Sequence, residues 1–262
     1  MNDFAVAAFA IFLIQNFASF FAIYFKRNDV ADIVWGPGFF LSGLALVGYK
    51  LLTDSSFEIH SRIFCVLILV GLWAIRLFFH IGLRVLKSPH EDERYQNMRR
   101  GWNHRWKIMS YTRVFMLQGV IMYIVALPIF IIIHSIEEPM SPIAYLAIAI
   151  WIFGFVTETV ADTQLSSFKK DPSSKGKIMD KGLWAWSRHP NYFGEIVQWW
   201  GIFMLTLPLP LVLLAVLSPV VITFLILRVS GVTMLEKLME SRPGYKEYQM
   251  RTSKFILWPP KT

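Results

Sequence analysis

The sequence contains one cysteine, Cys65, set in an apolar run. No internal disulfide can form, which excludes a disulfide-stapled scaffold. The fingerprints of soluble cofactor enzymes are also missing. Gly36-Pro37-Gly38 is not followed by the third glycine of a dinucleotide-binding turn, and no Walker sequence occurs. The six histidines show no metal-ligand spacing, so no metal is expected, and no serine or cysteine sits in a recognisable nucleophile setting. Any cofactor must be held by the apolar body of the chain and its loops.

That apolar body is large. Of 262 residues, 55% are hydrophobic, and the mean hydropathy is +0.47. The apolar residues come in blocks of about 20, the length a helix needs to cross roughly 30 Å of hydrocarbon. The blocks do not alternate apolar with polar, which argues against membrane strands. The pattern predicts an all-α polytopic membrane protein of about seven spans, near 4–25, 31–52, 62–84, 112–134, 142–165, 191–208 and 211–228. Residues 1–262 read as one transmembrane domain, with a signature region over 142–262 and an interfacial tail over 229–262. Only Asn2 and Asp3 precede the first apolar run, so it reads as a span and not as a cleaved leader.

The net charge of +8 is explained by placement, without a nucleic-acid partner. Two basic residues lie between spans one and two, eight between three and four, six between five and six, and seven from Arg228 onward, 23 of the 26 in all. By the positive-inside rule the N-terminus is expected outside and the C-terminus in the cytoplasm, in a membrane expected to be the bacterial inner membrane. The partners implied are the bilayer and a lipid-like small molecule; no protein partner is implied.

Polar residues inside spans are costly and commonly serve a cavity or a partner. Arg76, His80 and Arg84 recur at i, i+4 and i+8, along one face of span three. Such a basic stripe suits an anionic ligand; a snorkelling Arg84 and a hydrogen-bonded His80 would explain it equally well. Glu158 and Asp162, one turn apart in span five, suit either ribose hydroxyls or a helix-packing salt bridge. The densest cluster is Ser187-Arg188-His189-Pro190-Asn191-Tyr192-Phe193-Gly194-Glu195. Pro190 fits a first helical position, and Asn191 and Glu195 then share a face with Gln198 or Trp199 beyond. The tail, with Glu236-Lys237 followed by Arg242-Pro243-Gly244-Tyr245 and Tyr248, reads by itself as a membrane-surface helix.

The run from Gly182 to Glu195 resembles the signature of the steroid 5α-reductase family, and more closely that family's bacterial branch. The tail Arg242-Pro243-Gly244-Tyr245-Lys246-Glu247-Tyr248, with Phe255 and Pro259-Pro260, is similar to that branch as well. The resemblance implies a membrane reductase that takes NADPH from the cytoplasmic side and passes hydride to an activated C=C bond of a lipid-like enone. It implies that Asn191, Tyr192 and Glu195 lie by the nicotinamide as the catalytic group. Asp162 then falls on the ribose side, with Glu158 where the family has an asparagine, and Lys169 replaces a basic phosphate contact. His80 and Arg84 match a His-x-x-x-Arg pair, Arg228 matches a basic residue starting the tail, and Arg188 and His189 complete the cofactor set. On the substrate side Asp32 and Trp35 are the candidates. Where the steroid enzymes follow the histidine of that pair with a tyrosine, this chain has Ile81, which argues against a steroid ketone. The rival is an S-adenosylmethionine-dependent methyltransferase of the isoprenylcysteine type, which shares an Arg-His-Pro-x-Tyr helix start. The basic loops favour the phosphorylated dinucleotide, because S-adenosylmethionine carries no phosphate.

Overall fold

The structure is a computed structural model and describes residues 2–136 and 139–260. In chain order its α-helices are α1 (Asp3–Phe25), α2 (Val30–Thr53), α3 (Ser61–Lys87), α4 (Glu93–Trp102), α5 (Trp106–Ser110), α6 (Leu117–Val125) and α7 (Leu127–His134). They continue as α8 (Pro142–Lys170), α9 (Leu183–Trp186), α10 (Pro190–Met204), α11 (Val212–Ala215), α12 (Leu217–Phe224), α13 (Val232–Met239) and α14 (Tyr245–Arg251). Among the described residues there is no strand beyond one isolated bridge between Ser187 and Ser253.

Among the described residues six segments are long and apolar enough to cross a membrane: Asp3–Phe25, Val30–Thr53, Ser61–Lys87, Glu93–Val125, Pro142–Lys170 and Val212–Met239. The protein is an integral, multi-pass membrane protein. The span expected over 191–208 is the 15-residue helix α10. At 1.5 Å per residue that helix is about 22 Å long, short of a full hydrocarbon crossing. The helix stops at Met204, and the Pro208-Leu209-Pro210 run just beyond keeps it from resuming before α11. The span expected over 112–134 instead begins at Glu93 and runs through a π turn at Tyr111–Met116. Large side chains point outward along α1, with Phe17 68% and Phe20 65% exposed. Such a surface suits lipid and not water.

The chain divides into two compact units. Unit 1 comprises residues 1–140 and 206–217, and unit 2 comprises 141–205 and 218–262. In unit 1, α1 starts on an Asn2 cap, whose Oδ1 accepts from the Phe4 N–H at 3.1 Å. Helix α2 contains Pro37, and the glycines on either side of it let neighbouring helices approach closely. A Cβ on Gly36 would lie 3.1 Å from the Ala74 Cα, and one on Gly38 would lie 2.5 Å from the Met122 Sδ. Gly36-Pro37-Gly38 is a seam for α3 and α6.

Unit 2 is built on α8 and α10. A Cβ on Gly194 would meet the Gly154 carbonyl and the Glu158 N at 2.6 Å, and one on Gly154 would meet the Gly194 carbonyl at 2.6 Å. Gly201 repeats the close approach against Ala147 and Trp151 at 3.0 Å. Small residues let two backbones touch where lipid offers no hydrophobic drive to pack them. The polar faces of both helices are thereby brought together.

Replacing Gly194 by leucine should cost about 1–3 kcal/mol, the usual range for overpacking. A thermal melt of the purified protein in detergent would show it. Gly48→Ala, at a position with nothing within 4 Å of the added Cβ, should leave the midpoint unchanged or raise it slightly.

Candidate functional site

Between α8 and α10 the chain makes a loop that is fixed at several points. The Leu183 N–H donates to Gln164 Oε1 at 3.0 Å, and the Trp184 indole N–H donates to the Ala161 carbonyl at 3.0 Å. Gly182 takes φ +60°, and a Cβ there would lie 2.5 Å from Gln164 Nε2, so this turn requires glycine. Ser187 Oγ donates to the Phe255 carbonyl at 2.7 Å and accepts from the His189 N–H at 3.1 Å. Along the same stretch the Arg188 N–H donates to Ser253 O, the Trp258 N–H to Trp186 O, and the Tyr248 hydroxyl to Trp184 O. The tail is zipped onto residues 184–188.

At the centre of this zipper is Glu236 on α13. Arg188 grips it bidentately, Nε to Oε1 at 2.9 Å and Nη2 to Oε2 at 2.7 Å. His189 Nε2 lies 3.0 Å from Oε1, the Tyr245 hydroxyl donates to Oε1 at 2.6 Å, and Gln249 Nε2 donates to Oε2 at 3.1 Å. The remaining Arg188 nitrogen, Nη1, donates to the Thr252 and Gln249 carbonyls at 2.8 and 3.2 Å. Arg188 and Glu236 are both buried. Burial alone would lower the Arg188 pKa, but the Glu236 carboxylate outweighs it and holds the guanidinium above its ordinary value. Tyr245 is pushed up by burial and by its bond to Glu236, so it stays a neutral donor at pH 7.

The clamp closes one wall of a cavity of about 520 Å³ within unit 2. Trp184, Tyr245 and Tyr248 give it aromatic surface, and Arg188 and His189 line it beside them. Lys169, Lys170, Lys175, Lys177 and Arg242 also line it and are exposed, forming a basic rim.

Past Pro190, α10 presents its polar face to α8. Asn191 Nδ2 donates to Asp162 Oδ1 at 3.1 Å. Gln198 Nε2 donates to Glu158 Oε2 at 2.7 Å and to the Gly194 carbonyl at 3.3 Å. Glu195 lies between these two pairs on the helix and is half-buried, as is Tyr192, whose ring stacks on His189 with centroids 5.9 Å apart. Gln198 Oε1 is buried and has no hydrogen-bond partner among the described residues.

Unit 2 therefore holds together Glu158, Asp162, Lys169, Arg188, His189, Asn191, Tyr192 and Glu195 of the expected set, with Arg228 exposed in a π segment at Leu225–Val229. The others belong to unit 1. Arg84 is exposed on α3, and Arg76 and His80 are half-buried there. Asp32 accepts from Arg94 Nη2 at 2.9 Å and from the Tyr95 hydroxyl at 2.7 Å. Trp35 packs edge-on against Phe39 at 4.9 Å. Glu236 was legible only as part of a surface helix, and its partners lie 47 and 48 positions earlier in the chain. The available signal was a lone carboxylate among Val232, Leu235 and Leu238, followed by Tyr245, Tyr248 and Gln249 at helical spacing.

Comparison with known proteins places the chain in a family. It belongs to DUF1295, described as a protein family of unknown function, whose model matches residues 19–252. It is 24% identical over 227 residues to an uncharacterized protein of Schizosaccharomyces pombe, an alignment covering 78% of this chain and 64% of that one. It is 48% identical over 50 residues to a protein of Ustilaginoidea virens named as a probable O-methyltransferase, covering 18% of each. The chain thus spans less than two thirds of the length of these curated relatives. No solved structure matches it.

Truncating one partner of a buried charge pair leaves the other charge uncompensated, at a cost of about 3–5 kcal/mol. Glu236→Ala should therefore free the tail. Limited proteolysis should cut the variant within 240–260 under conditions that leave the wild type whole, and Glu236→Gln, which retains acceptor and donor atoms, should be cut more slowly than Glu236→Ala.

Proposed function

We propose that this DUF1295 member is a membrane-embedded NADPH-dependent reductase acting on the activated C=C bond of a lipid-like enone. The observation that supports it best is the cavity beside the Glu236 clamp, with aromatic surface inside and lysines at its rim. Aromatic side chains offer flat faces to adenine or nicotinamide rings, and a ring of cations suits pyrophosphate and a ribose phosphate. Asp162 and Glu158, on the α8 face packed against α10, would supply acceptors for ribose hydroxyls. The unpartnered Gln198 Oε1 leaves one buried acceptor near Glu195 for a donor from outside the chain. Lys/Arg placement supports a cytoplasmic face for this end of unit 2, the side on which NADPH would be available.

NADPH would supply the hydride, so the protein's own task is orientation and electrostatics. Lys169, Lys175, Lys177 and Arg242 would hold its phosphates. Asn191, fixed by Asp162, and Glu195 would orient the reacting ring from α10. Tyr192, stacked on His189, would close the site against water, which keeps electrostatic interactions strong. The polar and apolar faces of this site are both needed for a lipid-like acceptor to meet a charged cofactor.

A second reading is an S-adenosylmethionine-dependent methyltransferase, favoured by the 50-residue similarity to the Ustilaginoidea virens protein. The aromatic surface would also accept a sulfonium, through cation–π attraction. The lysine rim works against it, because like charges repel and no phosphate is there to be neutralised.

Thermal unfolding in detergent separates the two. At a hundredfold excess over Kd, the true cofactor adds about 2.7 kcal/mol; NADPH is expected to do so, and stabilisation by S-adenosylmethionine alone would contradict the reductase. With NADPH and a lipid enone, Glu195→Gln should slow turnover by about a hundredfold or more while the melt stays near wild type. Near-normal turnover would remove Glu195 from the catalytic group.

A further inference from the structure

Unit 1 has a second cavity, of about 600 Å³, that the proposed reaction does not use. It lies where α1 ends at Phe25 and α2 begins at Val30, both of them span-length helices. The four residues between join the ends of two span-length helices, where a membrane boundary is expected. The loop after α3, the body of α4 and the start of α5 complete the wall.

Its basic lining comprises Lys26, Arg27, His90, Arg99 and Arg100, with Trp106 beneath Arg99 at 5.3 Å from guanidinium carbon to ring centroid. Two of these cations hold the wall together. Arg27 grips Asp29 through Nε at 3.1 Å and Nη2 at 2.7 Å, and donates to the carbonyls of Val85, Ser88 and His90. Arg99 pairs with Glu91, the carboxylate in the wall, which also accepts from the Asn28 N–H at 2.6 Å. The Arg99 Nε–H is buried and has no hydrogen-bond acceptor among the described residues.

Lys26 and Arg100 are different. Both are exposed, and among the described residues neither is paired with a carboxylate. Arg100 reaches only the Gln96 side chain, at 3.4 Å. Lys26 sits in the left-handed conformation that ends α1, φ 56°. Two exposed cations without a carboxylate partner, lining one pocket beside the ends of two span-length helices, give an anion a place to bind. Phe25, which lines the cavity, and the neighbouring Tyr24 are exposed on α1 and give apolar surface for chains attached to that anion.

We infer that this cavity binds a negatively charged phosphate ester, as the headgroup of an anionic membrane lipid or as a free phosphate. The inference stands independently of the reductase reading.

The test is equilibrium binding of a fluorescent short-chain phosphatidylglycerol to the purified full chain in neutral detergent. Inorganic phosphate, glycerol 3-phosphate and short-chain phosphatidylcholine serve as competitors. Saturable binding that phosphatidylglycerol displaces and phosphatidylcholine does not is the expected result. Displacement by millimolar inorganic phosphate would assign the same site to a free phosphate; failure of phosphate to displace assigns it to the lipid. Lys26→Ala/Arg100→Ala should bind roughly thirtyfold more weakly, the combined worth of two basic contacts at a membrane surface. Arg100→Lys should bind near wild type, and unchanged melting midpoints show that both variants are folded. Wild-type affinity in the double alanine variant, or equal displacement by phosphatidylcholine, would overturn the inference.

Discussion

The buried pairing of Arg188 with Glu236 is the contact on which unit 2 depends. Glu236 takes hydrogen bonds from two Arg188 nitrogens and from His189, Tyr245 and Gln249, so its oxygens are used in full. Removing two charges from water costs several kcal/mol each, and the pair repays that only when every remaining donor and acceptor is satisfied. Here the other Arg188 nitrogen finds two tail carbonyls. The tail is thus pulled across residues 184–188 by a contact that tolerates no partial version. Arg188, His189 and Tyr245 then serve twice, as clamp and as cavity wall.

A different constraint shapes the helices beneath. Lipid gives helices no hydrophobic reason to associate, so α8 and α10 meet through glycine and alanine. Gly154 and Gly194 bring the backbones close enough for Asn191 to reach Asp162 and for Gln198 to reach Glu158. The close approach and the polar pairs are therefore one arrangement. In unit 1 the same glycine chemistry appears at Gly36 and Gly38, where a sequence that superficially suggests a nucleotide loop is a packing seam.

How much of this was legible in the sequence differs by the range of the interaction. Runs of apolar residues declare membrane helices, because a span is a local property. The i, i+4 pairs Glu158/Asp162 and Asn191/Glu195 were likewise readable as shared faces. Pro190 marked the start of α10 for a local reason, its missing N–H. What could not be read was pairing across tens of residues. In the sequence Glu236 is an ordinary surface-helix carboxylate, and nothing local ties Asp32 to Arg94 and Tyr95, more than 60 positions away. The span expected over 191–208 is short already in the sequence, but its end is carried past Met204 because Leu205 to Leu211 stays largely apolar after the helix has ended.

As proposed, the Glu236 clamp forms one wall of a cavity in unit 2 that would hold a nucleotide. Hydrogen–deuterium exchange of the protein in detergent, with and without saturating NADPH, tests it most directly. The expected result is slowed exchange in 165–189 and 235–248 with NADPH, and loss of that protection in Glu236→Ala. NADPH-dependent protection confined to other segments, or protection in these segments by S-adenosylmethionine alone, would contradict it.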